Sequence, residues 1–236
     1  MTWRENVTGE EGMTWIHPNV VPLKRAHDVH TFHGFNVGDA GASTLDQLDP
    51  WLAEDGRRVI DWDRKKEFLI DARVTADNVA GAAADYIRQQ VEYEPEVMVS
   101  AVGHSHGCNI IRMLSRKPGV ALTHAVLLNP AIRVDADIRA RHVWCFHASH
   151  DAAVLASLAL RVLPWNWFWK HPWGAAGRWG METKGRPHVH NIDLEALLPG
   201  LTKVGHSDAF KAPLRARVGA EVGRILKGQR VGQRIS

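Results

Sequence analysis

Short apolar runs recur along this chain, and stretches with helical spacing separate them. Asp28-Val-His-Thr-Phe-His33 is rich in β-formers and stops at Gly34. Leu45, Leu48 and Leu52 then fall three to four residues apart, which predicts a helix around 43–54. Pro50 breaks or restarts that helix, and Gly56 is placed to end it. Arg58-Val-Ile-Asp61 reads as a short strand. Thr75 reads as the N-cap of a helix running to about Gln90, with Val79, Ala83 and Ile87 on one face. Buried strands are expected at 97–102, 125–128 and 143–146, with a weaker one at 188–192, and a helix is expected at 106–114. Residues 152–163 suit a further helix. Pro213 opens the last one, whose apolar face is Leu214, Val218, Val222 and Ile225.

Strands that alternate with helices imply βαβ units and parallel pairing. The pattern therefore predicts an α/β fold: a doubly wound, mainly parallel sheet of about six strands with helices on both faces. In such sheets chemistry gathers beyond the carboxyl ends of the strands, so candidate functional residues should fall there.

Composition narrows the class. The chain has 236 residues, 45% of them apolar and 23% charged, which excludes disorder, collagen and coiled coil and suits one domain over 1–236. Two cysteines, Cys108 and Cys145, provide no disulfide framework and favour a reducing compartment. The first residues lack the pattern of a secretory signal. The most apolar stretch, 152–160, is far shorter than the ~20 residues of a membrane span. A cytoplasmic location is the expectation. The net charge is +3. Seven basic residues and one acid lie between Lys211 and Ser236, so residues 1–210 are net acidic. That tail reads as a solvated helix face followed by a frayed end, and no nucleic-acid partner is expected.

Gly103-His-Ser-His-Gly107 follows a predicted strand and opens a predicted helix. A nucleophile held on such a turn needs glycines where strand and helix approach closely. The turn then exposes the Ser105 hydroxyl and aims the N–H of His106 at a developing oxyanion. A serine nucleophile needs a base, and the base an orienting acid. Asp151 follows the strand at 143–146, and His206 lies in a loop after the strand at 188–192. Asp135, Asp137 and Asp208 compete with Asp151, and His150, His188 and His190 with His206, among 14 histidines. Phe32-His-Gly-Phe-Asn36 ends the first strand, where Gly34 lets backbone pass beneath a carbonyl and the N–H of Phe35 supplies the second oxyanion donor.

These pieces, His33-Gly-Phe35, the GxSxG turn, Asp151 and Gly205-His206, occur in order over roughly residues 28–226. The chain resembles serine hydrolases of the α/β-hydrolase fold, of the lipase and esterase kind. The resemblance implies a catalytic triad of Ser105, Asp151 and His206. It also implies an oxyanion hole at Phe35 and His106, no cofactor, and a small-molecule ester as substrate. Cleavage of a thioester or amide is the near alternative, and a binding module on the same scaffold a further one.

Between Asp151 and His206 lies an oversized connection that holds five of the ten tryptophans. Residues 155–185 are expected to form a lid-like insertion. Gly34, His104, Trp167 and Trp169 are expected to border the substrate. Exposed aromatics there would also suit peripheral contact with a lipid surface. Histidine pairs at strand ends invite a metal reading, but no HExxH helix or cysteine pair accompanies them, and no metal is expected. No phosphate-binding loop appears.

Overall fold

The computed structural model describes residues 26–34, 42–62, 72–159, 174–198, 200 and 203–228. Among these residues six strands form one sheet, every neighbouring pair parallel: β1 (His27–Phe32), β2 (Arg58–Trp62), β3 (Met98–His104), β4 (Leu122–Leu128), β5 (Ala140–His147) and β6 (Val189–Asp193). Their order across the sheet is β2-β1-β3-β4-β5-β6.

Helices cover both faces. On one, α2 (Ala72–Tyr93) and α3 (Gly107–Leu114) bury Ala80, Ala84, Ile87, Ile111 and Leu114 against Val99, Ala125 and Cys145 of the sheet. On the other, α1 (Asp49–Leu52) and α6 (Leu214–Leu226) bury Leu52, Val218, Val222 and Ile225 against Val29, Val102 and Phe146. Alternate residues of each strand serve the two faces, as the pleat requires.

The chain runs outward from β1 to β2, then crosses back to β3 and continues the other way. The helix of the first crossover, α1, lies on one face, and those after β2 and β3 lie on the other. A single crossover hand produces that arrangement, because reversing the direction of travel exchanges the faces. The reversal makes the gap between the carboxyl ends of β1 and β3 a topological switch point.

The fold class expected from the sequence is the one found, with shifts at the boundaries. The helix expected to open at Thr75 runs Ala72–Tyr93. Its first residues, Ala72 and Arg73, are strong helix formers, and its end comes just before Glu94-Pro95, where the proline disfavours helical backbone at the preceding residue. Over 43–54 there is no continuous helix. A 3-10 turn, Leu45–Leu48, leads into the single turn of α1, which Pro50 opens. Residues 152–163 were expected to be helical, and α4 (Ala152–Ala159) lies within that range. Among the described residues, no helix is long and apolar enough to cross a membrane.

Candidate active site

Ser105 follows β3 directly, with φ at 53°, a left-handed conformation uncommon outside glycine. Backbone hydrogen bonds on both sides hold it there. The Ser105 N–H donates to the Leu128 carbonyl at 3.0 Å, and its own carbonyl accepts from Ala131 at 3.1 Å and from Cys108 at 3.3 Å. Strain held this way at the mouth of a switch point is characteristic of functional turns. Gly107 begins α3 so close to β1 that a Cβ there would sit 2.0 Å from the Phe32 carbonyl oxygen. That contact leaves glycine as the residue the position accepts.

Asp151 lies beyond β5 and is fully buried. Its Oδ1 accepts the N–H of Val154 at 2.9 Å, at the start of α4. Its Oδ2 accepts from His206 Nδ1 at 2.7 Å and from Asn129 Nδ2 at 3.0 Å. A carboxylate can only accept, so the His206 proton resides on Nδ1 and Nε2 carries the free lone pair. That is the tautomer a general base requires. Asp208, a rival in the sequence, instead caps its own turn, accepting the N–H of Gly205 at 2.7 Å. Asp135 pairs with Arg133 and Asp137 with Arg116, both on the surface.

His104 joins His206 to the turn that carries Ser105. Its Nε2–H donates to the carbonyl of His206 at 3.1 Å, and its ring packs 4.8 Å from those of His206 and Phe210. Burial, helped by the neighbouring His206, pushes its pKa down to about 3, so it stays a neutral donor. Gly34 completes the floor: a Cβ there would lie 3.2 Å from both Ser105 Cβ and His104 Nδ1. The structure thus brings Ser105, His104, Gly34, His206 and Asp151 to one end of the sheet. His106 follows Ser105 as the residue flanking the start of α3. Phe35, Trp167 and Trp169 lie outside the described residues. Of the expected insertion 155–185, residues 174–181 belong to the body. Ala175, Ala176 and Met181 are buried, and α5 (Ala176–Trp179) packs beside β5. Trp179 is exposed under the Arg178 guanidinium.

Three groups escaped the sequence reading. Asn129, at the end of β4 with φ at 45°, is the second donor to Asp151 Oδ2, beside His206. The only signal was its place at a strand end. Glu195 accepts from Ser149 at 2.7 Å and pairs with His150 at 2.8 Å, tying the loop before Asp151 to the chain beyond β6. Asp61 accepts from Thr31 and His33, each at 2.7 Å, directly before Gly34. Burial would raise the Asp61 carboxyl, but the hydrogen bonds from His33 and Thr31 outweigh it and hold the group below its usual value. Among the described residues, His33, Asp46 and Asp61 are the one group that brings three potential metal ligands within 4.8 Å. Two of the three are already joined by the His33–Asp61 bond, which braces the strand end that carries Gly34.

The network yields a prediction for Asn129. Removing a neutral donor from a buried carboxylate costs about 1.5–3 kcal/mol where the charge matters. Asn129→Ala should lower kcat roughly ten- to a hundredfold with KM little changed. Asp151→Asn should cost more, about 10⁴, because it reverses the hydrogen bond that fixes the His206 tautomer. Steady-state kinetics on both variants checks the order; a harmless Asp151→Asn contradicts it.

No family model matches the chain, and no curated protein matches it in sequence. Solved structures do match. Carboxyl esterase 2 of the mycorrhizal fungus Tuber melanosporum superposes with a TM-score of 0.56 at 14% identity, over 88% of this chain and 80% of that one. A structure from a study of two Rhizomucor miehei esterases gives 0.54 at 12% identity, over 87% and 75%. An esterase of Pyrococcus furiosus gives 0.54 at 11% identity, over 86% and 81%. The likeness is one of fold, and it spans nearly all of the chain.

Proposed function

From a chain with the α/β-hydrolase fold, we propose a serine hydrolase that cleaves carboxylic esters through an acyl-enzyme. The observation that carries the reading is the left-handed Ser105 at the switch point, beside a His206–Asp151 pair at 2.7 Å. In this reading Ser105 Oγ attacks the acyl carbon while His206 Nε2 takes its proton. The same imidazole then protonates the leaving alcohol, and Asp151 stabilises the imidazolium. The N–H groups of His106 and Phe35 receive the oxyanion. Water, activated by His206, releases the acid. The chemistry needs no cofactor. The Ser-His-Asp set also supports a thioesterase or an amidase. Esters are favoured because the superposing proteins are described as esterases.

The test is a substrate panel: p-nitrophenyl acetate, butyrate and octanoate, an acyl thioester and an anilide. Esters are expected to turn over fastest, with the released acid accounting for the acyl group. No turnover of any ester by folded protein contradicts the proposal. Trp167 and Trp169 belong to the same reading, as the wall of the acyl site or a contact with a lipid surface. Trp167→Ala and Trp169→Ala should shift the preference between octanoate and acetate severalfold. Unchanged preference with a lowered Tm assigns those rings to structural packing.

A further inference from the structure

The sheet face that packs α1 and α6 changes character toward the amino ends of the strands. A cavity of about 690 Å³ opens there, within the range of small-molecule sites. Rings from three adjacent strands line it: His124 on β4, His142 and Trp144 on β5, and His190 on β6. Strand register brings them together, since His124 pairs with His142 and Trp144 with His190. The first two rings stack at 5.6 Å and 21°, the second two at 4.1 Å and 25°. Met98 and Leu226 add apolar surface. Met98 begins β3 and stands six residues before His104, so this cavity lies roughly 20 Å along the strand from the catalytic end.

Its polar groups have one character. Among the described residues that line it there is no carboxylate, while Arg141 and Lys227 both do. Lys227 pairs with Glu54 and Asp55. Arg141 is exposed and forms no ion pair among the described residues. The Nδ1 atoms of His124 and His142 are buried without a partner among the described residues. A buried nitrogen lacking a partner is better tolerated as a bare acceptor than as an orphaned N–H. The ring protons therefore reside on Nε2, the nitrogen left for the cavity. Burial, with the charges of His142, His27 and Arg141, brings the His124 pKa down to about 4, and burial lowers those of His142 and His190. Near neutral pH all three rings are uncharged, and those of His124 and His142 are donors beside the Arg141 guanidinium. Among the described residues Trp144 Nε1 also lacks a partner, although the residue is only 5% exposed.

Among the described residues, ring donors, a cation without an ion pair, a lining free of carboxylates and a wall of stacked rings define an anion site with an apolar side. We propose that this cavity binds a small carboxylate carrying an apolar body, at a site separate from the catalytic one. The carboxylate faces Arg141 and His142, and the body lies against the stack of Trp144 on His190. The inference stands whether or not the chain is an esterase.

Isothermal titration of benzoate at pH 7 tests it, with inorganic phosphate as the purely charged comparison. Wild-type protein is expected to bind benzoate at least tenfold more tightly than phosphate. Arg141→Glu reverses an exposed charge far from Ser105 and should weaken benzoate at least tenfold. His142→Phe keeps a ring in the stack, removes its donor, and should weaken benzoate as well. Failure of the wild type to bind benzoate overturns the proposal. So does undiminished binding by Arg141→Glu, which places the benzoate elsewhere. Phosphate that binds as tightly as benzoate overturns it too, by reducing the cavity to surface charge.

Discussion

Replacing Ser105 by alanine is expected to lower kcat on an ester by on the order of 10⁴ to 10⁶ while leaving the fold intact. In the proposed mechanism the loss follows from removing the one atom that forms the covalent bond. The intact fold follows from the turn. Ser105 holds φ at 53° through backbone bonds to Leu128, Ala131 and Cys108, none of which uses its hydroxyl. Alanine carries the same Cβ and the same strain, so Tm should match the wild type. Glycine removes the left-handed penalty, on the order of 1–2 kcal/mol. It adds chain entropy to the unfolded state, which offsets part of that gain. Ser105→Gly should therefore be inactive yet melt no lower than the wild type. A residue whose removal abolishes turnover and relieves strain is placed for chemistry rather than for stability. Retained turnover in purified Ser105→Ala would assign the nucleophile elsewhere.

Acid should unfold this protein as pH falls from 6.5 to 4, a window that opens well above the range in which carboxylates protonate. His27, His30 and His124 are held down to about 4 and His104 to about 3, burial being the largest cause for each. In the unfolded chain each titrates near 6.5. Between the two values the unfolded state binds more protons, so stability rises with pH. The contribution is complete above 6.5, declines as pH falls through the window, and declines no further below the folded values. At pH 4.5 the loss is on the order of 2 kcal/mol per histidine. Four of them rival the 5–15 kcal/mol of a typical domain. Circular dichroism against pH checks this. A transition confined below pH 4 would show that these rings are not buried neutral.

The alternation of apolar runs and helical spacings was enough to read the α/β class and six strands, because burial on both sheet faces demands it. Strand ends were harder. His124 and His142 extend β4 and β5 past the apolar runs, since ladder pairing with a neighbour continues wherever the neighbour does. The order of strands, and hence the switch point between β1 and β3, depends on crossovers that no local pattern records. At the site, Ser105 was legible because its turn has a residue signature. Asp151 and His206 were legible by their place after strands. The roles of Asn129, Asp61 and Glu195 were not, because each acts through a partner at least 22 residues away in sequence that only the folded sheet brings near.

The central claim is that Ser105 is an activated nucleophile served by His206 and Asp151. Reaction of the folded protein with a fluorophosphonate, followed by peptide mass spectrometry, tests it most directly. The account predicts a single adduct on Ser105, formed far more slowly in Asp151→Asn and absent after Ser105→Ala. An unlabelled Ser105 in folded protein, or labelling at the same rate when Asp151 is replaced, would contradict it.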